Sequence, residues 1–222
     1  MILTKDRRGR CVEKDGQLYV GVTSAMKLVK VLLGEPEESY GPPALSKIHC
    51  AEGTGCHATC LNWLAFTHGM LPSYTPVPWN PAEHPDEHRW NNVMYNALVG
   101  FTEFCEQYSV VPIGIEQEAF SKAYGLVGHV DLFCELTWKG KRRKAVIDLK
   151  FVTTLMESHR LQLRCYGKLS GINDAQIGVL YHADRNLGLW KLELVDLTTG
   201  LDDVAAVANA ARLYAWAEQK GR

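Results

Sequence analysis

At 222 residues the chain is long enough to bury a full core without disulfides or a structural metal. Hydrophobic residues at 46% and charged residues at 22% are ordinary globular values, and no apolar run approaches the length that spans a bilayer, so a soluble protein with no membrane partner is expected. A net charge of −1 argues against a protein that coats nucleic acid by bulk electrostatics and leaves room only for local basic patches.

The first segment is charged and lacks the apolar core and cleavage site of a secretory leader, which predicts a cytoplasmic protein. Its seven cysteines (Cys11, Cys50, Cys56, Cys60, Cys105, Cys134, Cys165) form an odd set without a repeating framework and read as reduced thiols. One domain is expected over 1–222, mainly helical through 1–108, with a β-rich core and a C-terminal helix over 109–222.

Residues 22–34 (VTSAMKLVKVLLG) predict a short helix capped at Thr23–Ser24 and closed by Gly34. The next segment is helical in style but interrupted at Gly53-Thr54-Gly55, which places a helix from about Gly55 to Phe66. Five prolines between Leu71 and Arg89 make a long loop, either a lid or binding loop or an ordered surface connection; its Tyr74 and Trp79 either stack on bases or pack. Apolar residues at Trp90, Val93, Met94, Leu98, Phe101 and Phe104 predict a long amphipathic helix ending near Tyr108.

VVPIGIEQEAF, LVGHVDLFCELTW and KAVIDLKF then read as three neighbouring antiparallel strands. The cluster Lys139, Lys141, Arg142, Arg143 and Lys144 is either a solvated hairpin tip or a local basic patch. A helix ending at Gly171 follows, then a strand pair around Asp184-Arg185-Asn186, then an alanine-rich C-terminal helix. Nothing repeats at a fixed period.

Strand alternation turns these segments into chemistry. In KAVIDLKF, Ala145, Ile147, Leu149 and Phe151 share an apolar face, while Val146, Asp148 and Lys150 take the other. In the preceding strand Val130, Leu132, Cys134 and Leu136 face one way and Asp131 the other, where it can meet Asp148 across the hairpin. Burying two acids and a lysine needs compensation, and a hard divalent cation with oxygen ligands supplies it. The chemistry suggested is phosphodiester hydrolysis with Mg2+ or Mn2+, the lysine orienting water and offsetting transition-state charge. Taken alone, Asp148 and Lys150 read first as a surface ion pair, since D-x-K by itself is a weak motif.

GHVD (128–131), IDLK (147–150) and the Q-x-x-x-Y pair Gln162 and Tyr166, in that order, resemble the RecB-type exonuclease branch of the PD-(D/E)XK nuclease superfamily. The resemblance implies an α/β (α+β) fold: a restriction-endonuclease-like αβββαβ core with a central mixed sheet flanked by helices, plus an N-terminal helical arm. It implies that Asp131 and Asp148 are metal ligands, joined by the Leu149 carbonyl, and that Lys150 is the catalytic lysine. His57, in GTGCHATCLNWL, corresponds to the upstream histidine ligand, with His49 as substitute. Glu116 corresponds to the acid of the first core strand, with Glu118 as alternate, and Gln162 and Tyr166 to the edge that holds DNA. Thr153 and Thr154, just beyond Lys150, read as phosphate contacts or as caps of the next helix.

The function implied is a Mg2+- or Mn2+-dependent deoxyribonuclease, an exonuclease rather than an endonuclease, in phage or bacterial recombination, repair or DNA degradation. Its partners would be single- or double-stranded DNA and a recombination or single-strand-binding protein. The alternatives are a catalytically inactive nucleic-acid-binding or interaction module on the same fold, and a hydrolase of another phosphate ester. Some relatives carry an iron–sulfur cluster on a late cysteine triplet; no cysteine follows Cys165, so no cluster is expected. Cys50, Cys56, Cys60 and His57 offer zinc-type ligands but lack the C-x2-C knuckle.

Overall fold

The computed structural model describes residues 4–5, 11–35, 43–169, 171–172, 174–198 and 201–219, and its sheet is organised around one long strand. β5 (Leu126–Trp138) pairs antiparallel along one edge with β4 (Val111–Ser121). Its other edge is shared: the first residues run parallel to β3 (Gln17–Gly21) and the last antiparallel to β6 (Lys141–Lys150). β2 (Cys11–Lys14) and β1 (Thr4–Lys5) continue the sheet beyond β3. Beyond β6 lie β7 (Ile177–Ala183), parallel to it, and β8 (Trp190–Val195), antiparallel to β7. Among the described residues the sheet is mixed and eight-stranded.

Turn chemistry closes its hairpins. Lys139 and Gly140 take φ of 49° and 73° between β5 and β6, and Asp15 and Gly16 take 52° and 72° between β2 and β3. Two successive left-handed residues give the turn whose twist matches the flanking strands. The second hairpin adds strands to the mainly helical N-terminal part: β2 and β3 belong to the sheet, and the helices follow them in the chain.

Helices cover both faces. α1 (Val22–Leu32), α4 (Glu157–Tyr166) and α5 (Leu201–Gln219) pack through Met26, Leu163, Tyr166 and Val207 onto one face, against Val130, Val146 and Leu180. α2 (Pro43–Thr67) and α3 (Glu87–Tyr108) pack through Leu61, Leu64, Phe101 and Phe104 onto the other, against Leu132, Ile147, Leu149 and Tyr181. Alternation along β6 thus holds as expected, Val146 facing one core and Ile147 and Leu149 the other. Among the described residues no helix is long and apolar enough to cross a membrane.

Three helix boundaries differ from expectation. α2 runs unbroken through Gly53 and Gly55, because Gly55 is a packing device: a Cβ there would lie 2.6 Å from the Trp90 ring of α3. α4 stops at Tyr166 with Gly167 as its C-cap, short of Gly171, which lies in the turn that follows. α1 starts at Val22 with Gly21 as an uncapped N-cap, so Thr23 and Ser24 sit inside the first turn. α3 begins as expected, with the Asp86 carboxylate accepting from the Arg89 amide. The proline-rich segment before it is tied down: Trp79 Nε1 donates to the His84 carbonyl at 2.9 Å, and His84 is buried.

Candidate active site

The site forms where β5 and β6 part. Their ladder ends at Leu132 opposite Ile147, and one step further Asp131 and Asp148 face one another. The Leu149 amide donates to Asp131 Oδ2 at 2.8 Å. A side chain has taken over a buried ladder donor, so the strands separate without orphaning it.

β5 also changes phase here. Val130 packs into the core under α1, α4 and α5, whereas Leu132, Cys134 and Leu136 pack into the core under α2 and α3. The expectation that these four share a face is therefore corrected: Asp131 sits at the crossover. β4 changes phase at the same level, with Ala119 in the first core and Ile115 against the second. Glu116 supplies the irregularity with a left-handed φ of 49°, a conformation that costs a non-glycine residue roughly 1–2 kcal/mol. Because both strands shift together, their pairing resumes on either side.

That irregularity brings Glu116 to His57 of α2. His57 Nδ1 lies 3.1 Å from Glu116 Oε1, and its Nε2 lies 2.8 Å from Asp131 Oδ2. Ligand atoms of the three residues fall within 4.8 Å of one another, and among the described residues no other His/Cys/Asp/Glu group meets this condition. Burial would depress the imidazole, but hydrogen bonds to Asp131 and Glu116 outweigh it and raise its pKa to about 10. Burial works against ionisation of Asp131 too, and the His57 bond and charge hold its carboxyl below the usual range.

Asp148 is the opposite case. It is 1% exposed, and burial lifts its carboxyl above the usual range, with the Asp131 charge adding to the shift and Lys150 opposing it. Lys150 Nζ lies 2.6 Å from Asp148 Oδ2, an ion-pair contact that leaves this buried oxygen without a well-directed donor. Lys150 donates to Gln162 Oε1 at 3.2 Å, and Gln162 Nε2 donates to the Tyr166 hydroxyl at 2.7 Å. Tyr166 is buried over Gly128, where a Cβ would lie 2.7 Å from its ring. Gln162 and Tyr166 therefore form a bracket that orients Lys150.

These residues line a cavity of about 360 Å³, into which Gly21, Val22, Thr23 and Ser24 also project. The α1 N-terminus there has no side-chain cap and no acid in its first turn, and Thr23 bonds Tyr166. Sequence reasoning missed this contribution; the signal, Thr23-Ser24 before an apolar run, reads as capping.

Other expected residues fall elsewhere. Glu118 lines the cavity but pairs with His129 at 3.4 Å. His49, together with His84, Arg89 and Arg185, surrounds the fully buried Glu52, whose carboxyl is held down to about 2 because these partners overcome its burial. This network was not foreseen. Thr153 lines a neighbouring cavity rather than this one, and the N-cap of α4 is Met156. Cys56 and Cys60 are buried against α3 carbonyls, Cys50 is exposed, and the three form no metal-ligand cluster.

Carboxylates from neighbouring strands and one imidazole converge here, a donor set that could hold a divalent cation. No protein-family model matches the chain, and no curated protein matches it. Among solved structures it is similar to the crystal structure of SSO0001, at 12% identity over 87% of this chain and 84% of that one, with a TM-score of 0.36.

Proposed function

We propose that the chain is a Mg2+- or Mn2+-dependent deoxyribonuclease of the RecB type, acting on DNA ends, on a restriction-endonuclease-like core. The run α3, β4, β5, β6, α4, β7 supports the αβββαβ reading. The observation that carries the proposal is the meeting of Asp131 and Asp148 where β5 and β6 part, with His57 and Glu116 converging on one side and Lys150 on the other.

A cation held by Asp131, Asp148, His57 and the Leu149 carbonyl would supply Lewis acidity and lower the pKa of bound water. Glu116 would anchor His57 or join the ligands. Lys150 would orient the attacking water and offset charge building on the phosphoryl oxygens, and Gln162 holds its ammonium in place. The open first turn of α1 would offer amide N–H groups and the Ser24 hydroxyl to an anionic substrate, with Thr23 held by Tyr166.

The test is incubation with linear single- and double-stranded DNA and with RNA, in Mg2+, Mn2+ or EDTA, beside Asp148→Ala and Lys150→Ala. The wild type should cut DNA only with metal, and each variant should lose about 10²-fold or more. A wild type as inert as its variants sinks the enzyme reading; variants that cut as well as wild type sink the assigned site. Circular substrates separate end-dependent from internal cutting.

A further inference from the structure

A second cavity, of about 420 Å³, opens beyond Lys150 around the ends of β6 and β7. Strand register links it to the first: Lys150 pairs with His182, and His182 with Lys191. Three nitrogen-bearing side chains thus stand abreast on adjacent strands, the first in the candidate active site and the other two lining the second cavity. With strands about 4.8 Å apart, the backbones of Lys150 and Lys191 are separated by roughly 10 Å.

The wall of this cavity contains a fixed charge. The Arg185 side chain is 11% exposed, lies 3.0 Å from Glu52 Oε2, and donates to the Phe151 carbonyl at 3.2 Å. Glu52 also faces a second guanidinium, Arg89, at 2.6 Å, so Arg185 shares its carboxylate with another permanent cation. The cavity's single acid, Asp184, spends its Oδ1 accepting from the Asn186 and Leu187 amides of its own turn. Glu193, two residues past Lys191, is engaged by Arg160. His182 Nε2 bonds the Val152 carbonyl, which fixes its ring at the cavity edge. Thr153 adds a hydroxyl, and Lys191 an exposed ammonium.

We propose that this cavity binds a backbone phosphate of the nucleic-acid strand beyond the scissile one, with Lys191 and Thr153 as its contacts and Arg185 as the fixed cation behind them. The proposal rests on the nuclease reading and adds a direction to it: the strand leaves the metal cavity across the ends of β6, β7 and β8. The hydroxyl and the rim ammonium suit a phosphate that arrives and departs as the chain moves, with the guanidinium fixed in the wall behind them.

The test measures binding of single-stranded oligonucleotides of increasing length to the full chain in Ca2+, by fluorescence anisotropy over a salt series. Wild type should gain affinity in a step once the strand reaches the second cavity. Lys191→Glu should lose that step, about tenfold, and its log affinity against log salt should flatten by about one phosphate. Lys191→Gln should fall between the two, and Thr153→Val should weaken the step while leaving the salt slope unchanged. Lys191 is exposed, so these variants retain the fold. An unchanged length step and salt slope in Lys191→Glu overturns the proposal. A wild type that cuts DNA without any length step overturns this inference alone, whereas one that neither binds nor cuts overturns the nuclease reading with it.

Discussion

His57 on α2 reaches Asp131 on β5 with Nε2 at 2.8 Å from Oδ2, while its other ring nitrogen contacts Glu116 on β4. A helix is thereby stapled to the point where two strands change phase. The imidazolium neutralises carboxylates that are otherwise costly to hold together. On the proposed nuclease reading, a cation that took His57 as a ligand would displace a proton from it.

The first prediction follows from that proton. The pKa of His57 is raised from 6.5 to about 10, so its contribution to stability is fully present below pH 6.5 and is lost as pH rises through about 10. In EDTA, the difference in urea stability between wild type and His57→Gln should shrink across this window, by at most about 1.4 kcal/mol per pH unit. Curves that run parallel would mean that His57 is neutral in the folded protein. Metal affinity should rise over the same range, because fewer protons compete.

A second prediction concerns Glu52, which is fully buried and holds Arg89, Arg185, His49 and His84. Its pKa is lowered from 4.5 to about 2, so the stability it contributes is present above pH 4.5 and is lost as pH falls through about 2. Glu52→Gln leaves Arg185 without its counter-charge and should cost about 3–5 kcal/mol in urea unfolding at neutral pH. The variant's acid transition should also lose this component. A loss near zero would show that the network is surface-like in its energetics.

How far the sequence discloses this molecule depends on the range of each interaction. The order from α3 to β7 is legible because the 3.6-residue stripe of Trp90, Val93, Met94, Phe101 and Phe104 and the alternation in β6 are local. The catalytic candidates are legible through GHVD, IDLK and His57. The β2–β3 hairpin was also available, since Asp15–Gly16 is a two-residue turn signal, but surrounding charge masks short strands. The phase change at Asp131 and Glu116 follows no alternation rule, because a left-handed residue in one strand is matched by a neighbour brought in by folding. Glu52 looks like any helical glutamate until Arg185, on the β7–β8 turn, arrives beside it.

Gly55 gives the third prediction, and its sign decides between two effects. As a residue within α2, glycine should be improved by alanine, worth up to about 1 kcal/mol. The added Cβ would meet the Trp90 ring at 2.6 and 2.9 Å, and Trp90 is 4% exposed, so the ring has little room to retreat. Overpacking of this kind costs about 1–3 kcal/mol and should win. Gly55→Ala should therefore lower the thermal midpoint, whereas Gly53→Ala, with nothing within 4 Å of its Cβ, should raise it slightly. Stabilisation by both would remove the close α2–α3 contact.

The fourth prediction separates the bracket behind Lys150 from simple packing. A Cβ on Gly128 would lie 2.7 Å from Tyr166 Cε1 and 3.1 Å from a Leu169 methyl, and Tyr166, at 3% exposure, cannot swing into solvent. Gly128→Ala should displace the ring, cost about 1–3 kcal/mol of stability, and disturb Lys150 through Gln162. Tyr166→Phe keeps the ring and removes only the hydroxyl that Gln162 and Thr23 bond. If the bracket orients the lysine, Tyr166→Phe should lower kcat by about tenfold with KM little changed and a stability loss of only about 1 kcal/mol. A rate that follows stability in both variants would reduce Tyr166 to a core residue. A rate that falls in Tyr166→Phe while the fold stays intact places the hydroxyl in the chain of contacts that sets the ammonium.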